Sequence, residues 1–220
     1  RERINIMKRV ILDIETNNLL EDMIDFSIPY PLTLKDTSRL WCISLRDFDD
    51  WDNVISLKKE ECTSENLKQL LSSAEEIIFH NGLNFDMPAL QLFGVIEYTV
   101  GFPGQGDTCF GRNVKFVDTL LLSQFLKPDR FGGHSAGAWG KYLGMPKIDF
   151  NAFHEFSEEM VTYCEQDTLT QAGIYKALLE ELVHDQELYR ELSVPFEMES
   201  KLVDLVIKQE LRGFKFDVEH

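Results

Sequence analysis

The chain has little that would direct it to a membrane, a zinc site or a disulfide framework. No apolar run approaches the ~18 residues of a membrane span, and residues 1–6 lack the apolar stretch of a signal peptide. The four cysteines are scattered and no pair is spaced as CxxC: Cys42, Cys62, Cys109 and Cys164. This spacing disfavours zinc binding and favours a reducing compartment. We therefore expect a cytoplasmic protein that has no membrane contact.

Positive charge is also scarce. The chain has 22 Lys and Arg residues against 38 Asp and Glu, a net charge of −16, which argues against a free-standing, tight binder of DNA or RNA. The charge is uneven, because residues 149–199 carry thirteen acids against Lys176 and Arg190. Against a single acid, Asp129, residues 119–148 carry Lys127, Arg130, His134, Lys141 and Lys147. That basic stretch could face a polyanion, although chance clustering on a solvated surface explains it equally well.

The size and the residue pattern predict one α/β core. With 220 residues, of which 44% are apolar, the chain can bury one large core with or without an appendage. The pattern predicts five strands, at 9–15, 40–48, 51–57, 76–80 and 114–117. It predicts helices at 64–72, 87–93, 119–126, 135–143, 157–183 and 195–211, and a loop at 98–113. This order indicates a sheet of mixed direction with flanking helices.

Two acids interrupt the first predicted strand, Val10-Ile11-Leu12-Asp13-Ile14-Glu15. Side chains alternate along a strand, so Asp13 and Glu15 share one face, and Val10, Leu12 and Ile14 point into a core on the other. Paired carboxylates on a half-buried surface repel each other and need a positive partner. Their hard oxygens suit Mg²⁺ or Mn²⁺. The alternative is a strand end at which both carboxylates reach water.

Further acids follow at two later points. Asp86 comes after a predicted strand at the start of a helix, where Asp is also a common cap. Tyr163 and Asp167 are four residues apart in a predicted helix and share one face. Apolar neighbours predict that this face packs on the sheet, whereas an Asp in an acidic helix is usually exposed.

Taken in this order, the motifs carry a family resemblance. The sequence resembles the proofreading 3′–5′ exonuclease domain of family A DNA polymerases, most closely that of podovirus-type phage enzymes, from Val10 to about Asp185. Tyr163, with Thr162 where a sister group has His, matches the DEDDy type. The resemblance is carried by five blocks: Leu12–Leu20, His80–Leu90, Asp118–Leu120, Gly133–Gly144 and Tyr163–Asp167.

The resemblance implies a fold and a metal site. It implies a ribonuclease H-like fold and a two-metal phosphodiesterase that uses Mg²⁺ or Mn²⁺, two ions per site. Asp13 would bridge both ions, Glu15 and Asp167 would complete the first site, and Asp86 would hold the second ion. Tyr163 would orient the attacking water.

The resemblance also implies contacts to a single-stranded DNA 3′ end. The substrate-binding residues would be Thr16, Leu19, Asn81, Phe85 and His134. Leu19 would wedge against the terminal base, although a plain core role is the alternative. Phe85 stands where many relatives have Tyr, so we expect a weaker polar contact there.

The tail adds a second resemblance. Residues 208–217 look like the entry into the polymerase region of the same family. We therefore expect an exonuclease domain at 1–189 and, at 190–220, a helix that leads into an absent polymerase domain, which would be the partner of this portion. The alternative is a helix that Gly213 stops. The expected setting is the cytoplasm of a bacterial host, with the isolated portion a monomer.

Two other functions stay open from the sequence. A free-standing DEDDy exoribonuclease would carry the same carboxylates, because sugar preference depends on a contact to the 2′-OH. A non-catalytic nucleic-acid-binding scaffold would keep the fold without the chemistry. Retention of all four acids and Tyr163 argues against the scaffold.

Overall fold

A computed structural model describes residues 7–27, 32–102, 104–183 and 186–213, without the side chains of 186–192. Its strands are Arg9–Thr16 (β1), Leu40–Asp47 (β2), Val54–Lys58 (β3), Glu76–Phe79 (β4), Tyr98–Thr99 (β5), Asp107–Cys109 (β6) and Arg112–Asp118 (β7). Its α-helices are Leu20–Met23 (α1), Ser64–Leu70 (α2), Asp86–Leu92 (α3), Thr119–Leu126 (α4), Ala136–Leu143 (α5), Glu158–Val183 (α6) and Gln186–Arg212 (α7). In the part of the chain so described, no helix is long and apolar enough to cross a membrane.

The strands form one mixed sheet in the order β3-β2-β1-β4-β7-β6-β5. β1 pairs in parallel with β4, and β4 with β7, whereas the remaining neighbours are antiparallel. The predicted mixed direction is therefore confirmed, and β2 and β3 form an antiparallel hairpin.

The predicted number of five strands is wrong, because the segment predicted as a loop at 98–113 contains β5 and β6. The two-residue turn Phe110-Gly111 has positive φ at both positions, 51° and 71°, which is the geometry of a tight hairpin turn. Asp107 braces the hairpin, since its carboxylate accepts hydrogen bonds from the main-chain N–H groups of Gly101 and Phe116 at 3.0 and 2.9 Å. Gly111, one of the glycines that suggested a loop, is thus a turn residue between β6 and β7.

The two faces of β1 pack against different parts of the protein. Val10, Leu12 and Ile14 lie in the largest apolar cluster, as predicted. Ile11 faces the other side and packs in a cluster that includes residues of α6. Because side chains alternate, Asp13 and Glu15 share the face of Ile11 and therefore look toward α6.

The last helix begins earlier than predicted. We expected a start near Pro195, a residue suited to a first turn, but α7 begins at Gln186 and Pro195 lies inside it. Proline removes only one helical hydrogen bond, and tertiary contacts fix the rest of the helix. Lys201 donates to the carbonyl of Val100 at 2.6 Å, and the fully buried Asp204 pairs with Lys201 and Lys208. The predicted domain boundary at 189/190 falls within α7 and stays a prediction.

Candidate active site

Helix α6 is fixed across the sheet by polar contacts as well as apolar packing. The buried Arg46 of β2 donates from Nε to Thr168 Oγ1 at 3.1 Å and from Nη2 to the carbonyl of Glu165 at 2.9 Å. Ser56 of β3 donates to Glu165 Oε1 at 2.7 Å. These contacts fix the rotation of α6, so that Asp167 faces β1.

The structure brings together the four predicted acids. Glu15, Asp86 and Asp167 are buried, and Asp13 is partly buried. Asp86 Oδ1 accepts a hydrogen bond from the main-chain N–H of Ile14 at 3.2 Å, which places α3 against β1 between the two acids of that strand. Ligand atoms of Asp13, Glu15 and Cys164 all lie within 4.8 Å of one another. The acids of β1, α3 and α6 therefore converge on one site.

Crowding of these acids disfavours their charged forms. Loss of hydration, followed by the charge of Asp167, raises the pKa of Asp13 to about 7. Burial and the charge of Asp13 raise the pKa of Glu15 to about 10. Burial also raises the pKa of Asp86 and of Asp167. A bound divalent cation would relieve this repulsion, and a set of carboxylate oxygens suits Mg²⁺ or Mn²⁺, so the residues fit such an ion.

One cation of the chain reaches this site. Lys147, in the segment between α5 and α6, lies with Nζ 2.5 Å from Asp167 Oδ2 and 3.2 Å from the Tyr163 hydroxyl. The other oxygen of Asp167, Oδ1, is buried and has no hydrogen-bond partner among the described residues. Lys147 thus neutralises one oxygen of Asp167 and leaves the other available for a ligand.

Tyr163 lies at the outer side of the same cluster. Its ring packs against Phe150 and Phe153, with centroids 5.4 and 5.9 Å away. Burial and the charge of Asp167 raise its pKa above the ordinary value of 10, so the hydroxyl stays protonated at neutral pH. It can orient a water molecule but is unsuited to act as a general base there.

The predicted substrate-binding residues have different surroundings. Leu19 is 60% exposed beside the end of β1, and a core role for it is excluded. Thr16 is buried and donates to the carbonyl of Asn18 at 2.7 Å. Asn81 adopts a left-handed conformation, with φ of 67°, in the turn that leads to Asp86, and the partly buried Phe85 packs against the main core. Both ring nitrogens of His134 lie near protein partners, Ser123 Oγ at 2.9 Å and the Pro128 carbonyl at 3.3 Å.

A buried carboxylate outside this cluster of acids shapes the turn before Asp86. Asp118 accepts hydrogen bonds from the main-chain N–H groups of Asn81 and Leu83 and, as the cap of α4, from those of Leu120 and Leu121. Sequence reasoning used Asp118 only as part of a motif. Its position at a strand end before a helix was the signal for a cap.

Two further contributors were missed. Lys147 was noted only as a member of a basic stretch, and Gln171, which donates to Asp13 at 2.7 Å, was not noted at all. The spacing Cys164, Asp167, Gln171, three and four residues apart, marks one face of a helix and is the signal that was available for Gln171.

Known proteins resemble this chain in sequence and in fold. No protein-family model matches the chain. It is 27% identical over 251 aligned positions to the DNA-directed DNA polymerase of Escherichia phage T7, which covers 94% of this chain and 33% of the polymerase. The chain therefore spans about a third of the length of this curated relative.

Solved structures share the fold. NrnC of Brucella melitensis with bound Mg²⁺ has a TM-score of 0.58 at 18% identity, over 99% of this chain and 94% of NrnC. NrnC bound to pGG has a TM-score of 0.60 at the same identity, over 99% and 93%. The catalytic core of RRP6 from Trypanosoma brucei has a TM-score of 0.57 at 16% identity, over 90% and 47%. The resemblance to phage DNA polymerases and the ribonuclease H-like fold, both predicted from the sequence, are confirmed.

Proposed function

We propose that the chain is a metal-dependent 3′–5′ exonuclease that hydrolyses phosphodiester bonds at single-stranded or frayed DNA 3′ ends. The observation that carries the proposal is the convergence of Asp13, Glu15, Asp86 and Asp167 on one site. Burial raises the pKa of all four acids there, and charge repulsion adds to the rise at Asp13, Glu15 and Asp86. The relative from phage T7 is a DNA polymerase, which supports DNA as the substrate and proofreading as the role. The polymerase portion, the monomeric state and the host cytoplasm as setting are part of this proposal.

The acids would hold two divalent ions, Mg²⁺ or Mn²⁺. Asp13, whose charge acts on both Glu15 and Asp86, would help to hold both ions, with Glu15 and Asp167 as further ligands of the first and Asp86 as a ligand of the second. When bound, the pair of ions would activate water and stabilise the leaving oxygen. NrnC, which shares the fold, has been solved with bound Mg²⁺, in keeping with this choice.

The other side chains would position the reactants. The Tyr163 hydroxyl, which stays protonated, orients the attacking water. Lys147 holds Asp167 and carries a positive charge toward the incoming phosphate. Thr16, Asn81, Phe85 and His134 shape the walls around the terminal nucleotide, His134 by bracing the loop at Pro128.

The preference for single-stranded or mispaired 3′ ends would follow from the exposed Leu19. A side chain 60% exposed at the end of β1 is free to contact the terminal base. The 3′ end must be single-stranded to reach the site beside Leu19, and matched strands do not splay apart there. A mispaired end would therefore be cut faster than a matched one. The basic residues at 127–147 would guide the strand toward the site.

An isosteric change at Asp13 tests the proposal. Asp13→Asn keeps the shape of the side chain but removes the charge of the bridging ligand, so Mg²⁺-dependent trimming of a single-stranded DNA oligonucleotide should fall at least ~100-fold. Asp36→Asn, at an exposed carboxyl, is the matched control and should trim like the unaltered chain. Trimming that survives Asp13→Asn would overturn the site assignment.

Matched oligonucleotides separate the competing functions. The proposal predicts faster trimming of DNA than of RNA of the same sequence, and of a frayed duplex than of a blunt one. A preference for RNA would favour the free-standing exoribonuclease. Binding without cleavage in either metal would favour the non-catalytic scaffold.

A further inference from the structure

Helix α6 holds both oxygens of Asp13. Gln171 donates from Nε2 to Asp13 Oδ1 at 2.7 Å, and the Cys164 thiol donates weakly to Asp13 Oδ2 at 3.5 Å. The two donors are seven residues apart, two helical turns, and therefore lie on one face of α6. This is the same helix that carries Tyr163 and Asp167.

We propose that Gln171 is a positioning residue that sets the orientation of Asp13 for metal binding. The inference rests on the proposed function, because it assigns Gln171 a role at the same site. Each carboxylate oxygen has two lone pairs. A hydrogen bond from Gln171 uses one lone pair of Oδ1, fixes the plane of the carboxylate and leaves the other lone pair for a cation.

The surroundings of Gln171 support a role beyond packing. Its side chain is 3% exposed, and its Oε1 is buried without a hydrogen-bond partner among the described residues. An unsatisfied buried acceptor is unfavourable, so an apolar side chain of the same length would remove that cost. The one polar contact that the structure gives this amide is the one with Asp13.

The contact also favours the charged form of Asp13. A donor on a carboxylate stabilises its anion, and Gln171 donates to Asp13 Oδ1 at 2.7 Å. An amide can do this without adding charge, whereas a Lys at the same place would compete with the cation. Groups that hold metal ligands in this way change metal affinity or activity 10- to 100-fold when removed, roughly, in other proteins.

The test compares Mn²⁺ binding by calorimetry in three chains at neutral pH. Gln171→Met keeps the length but lacks the donor, and we expect roughly 10- to 100-fold weaker Mn²⁺ binding. Gln166→Met, the same change at a partly exposed position of α6, is the control and should bind Mn²⁺ like the unaltered chain. Without metal, both variants should have melting temperatures close to that of the unaltered chain. A merely structural role for Gln171 would instead predict a clearly lower melting temperature for Gln171→Met.

The outcomes separate the two proposals. Mn²⁺ binding by Gln171→Met within twofold of the unaltered chain would overturn the positioning role, whereas an unaltered chain that binds no Mn²⁺ would overturn the proposed function. If the Met variant melts far below the unaltered chain, Gln171→Leu repeats the test. A Leu variant that is folded and binds Mn²⁺ normally, or that also fails to fold, would reject metal positioning in favour of a structural role.

Discussion

At the scale of single residues, the site is an arrangement of four acids with one built-in cation. Without metal, Lys147 is the positive group that contacts Asp167, and its charge also favours the ionised form of Asp13. The acids and Tyr163 could be predicted because strand and helix periods place them on common faces. Lys147 could not, because its place depends on how the segment between α5 and α6 packs against the sheet. The helical spacing puts Gln171 on the face of Asp167, but its contact with Asp13 depends on how α6 packs on β1.

Removing the charge of Lys147 should shift the pH dependence of cleavage. In Lys147→Met, Asp167 loses the partner that favours its anion, so the pKa of Asp167 rises. The pH at which the cleavage rate is half-maximal should therefore rise as well. We also expect about a tenfold lower rate at neutral pH, since Tyr163 loses a contact. A pH–rate profile checks both effects.

An exposed lysine provides the control for this experiment. Lys68→Met, on α2, should leave the profile unchanged. A Lys147→Met profile that coincides with that of the Lys68 variant would show that the contact with Asp167 has no part in cleavage.

At the scale of elements, the position of Asp86 depends on the turn between β4 and α3. Gly82 allows this turn, because a Cβ at that position would lie 2.4 Å from Cγ of the fully buried Phe79. Asp118 holds the same turn through two main-chain N–H groups. The turn is therefore a rigid support for the acid at the start of α3.

A pair of glycine substitutions tests this support. Gly82→Ala should destabilise the fold by roughly 1–3 kcal/mol, because the added methyl has no room beside Phe79. Gly137→Ala, in α5 with open space around the added atom, should stabilise it by roughly 0.5–1 kcal/mol. Chemical denaturation measures both, and a Gly82 variant as stable as the parent would contradict the packing described for the turn.

Elements with a strong local signal in the sequence were predicted well, and those set by tertiary contacts were not. β1 is an almost continuous apolar run and α6 begins with two acidic residues in its first turn, and their predicted ranges differ little from the observed ones. The strands β5 and β6 have two and three residues and depend on the hairpin turn at Phe110 and on Asp107. The first third of α7 precedes Pro195, the predicted start of the helix.

At the scale of the whole molecule, the acids of the site link stability to pH. The pKa of Asp13 rises from an ordinary 3.8 to about 7, and that of Glu15 from 4.5 to about 10. Above pH 4 the unfolded chain therefore holds fewer protons than the folded chain at these groups. Their contribution to stability is complete below about pH 4 and is lost as pH rises through 7 and toward 10.

The melting temperature of the metal-free protein should accordingly fall between pH 5 and pH 8, by at least roughly 3 °C. Glu15→Gln removes one titrating group and should make the decrease shallower. Adding Mn²⁺ at pH 8 should restore the lost stability, because the cation takes the place of the protons. A melting temperature that rises over this range in Glu15→Gln and in the parent alike would contradict the linkage.

We propose that acids from β1, α3 and α6 together bind divalent cations. Anomalous diffraction from a crystal soaked in manganese tests it most directly. We expect a strong peak at about 2.0–2.3 Å from oxygens of Asp13, Glu15 and Asp167, with a second ion beside Asp86. A well-ordered crystal with no peak within reach of Asp13, or with the manganese bound elsewhere, would contradict it.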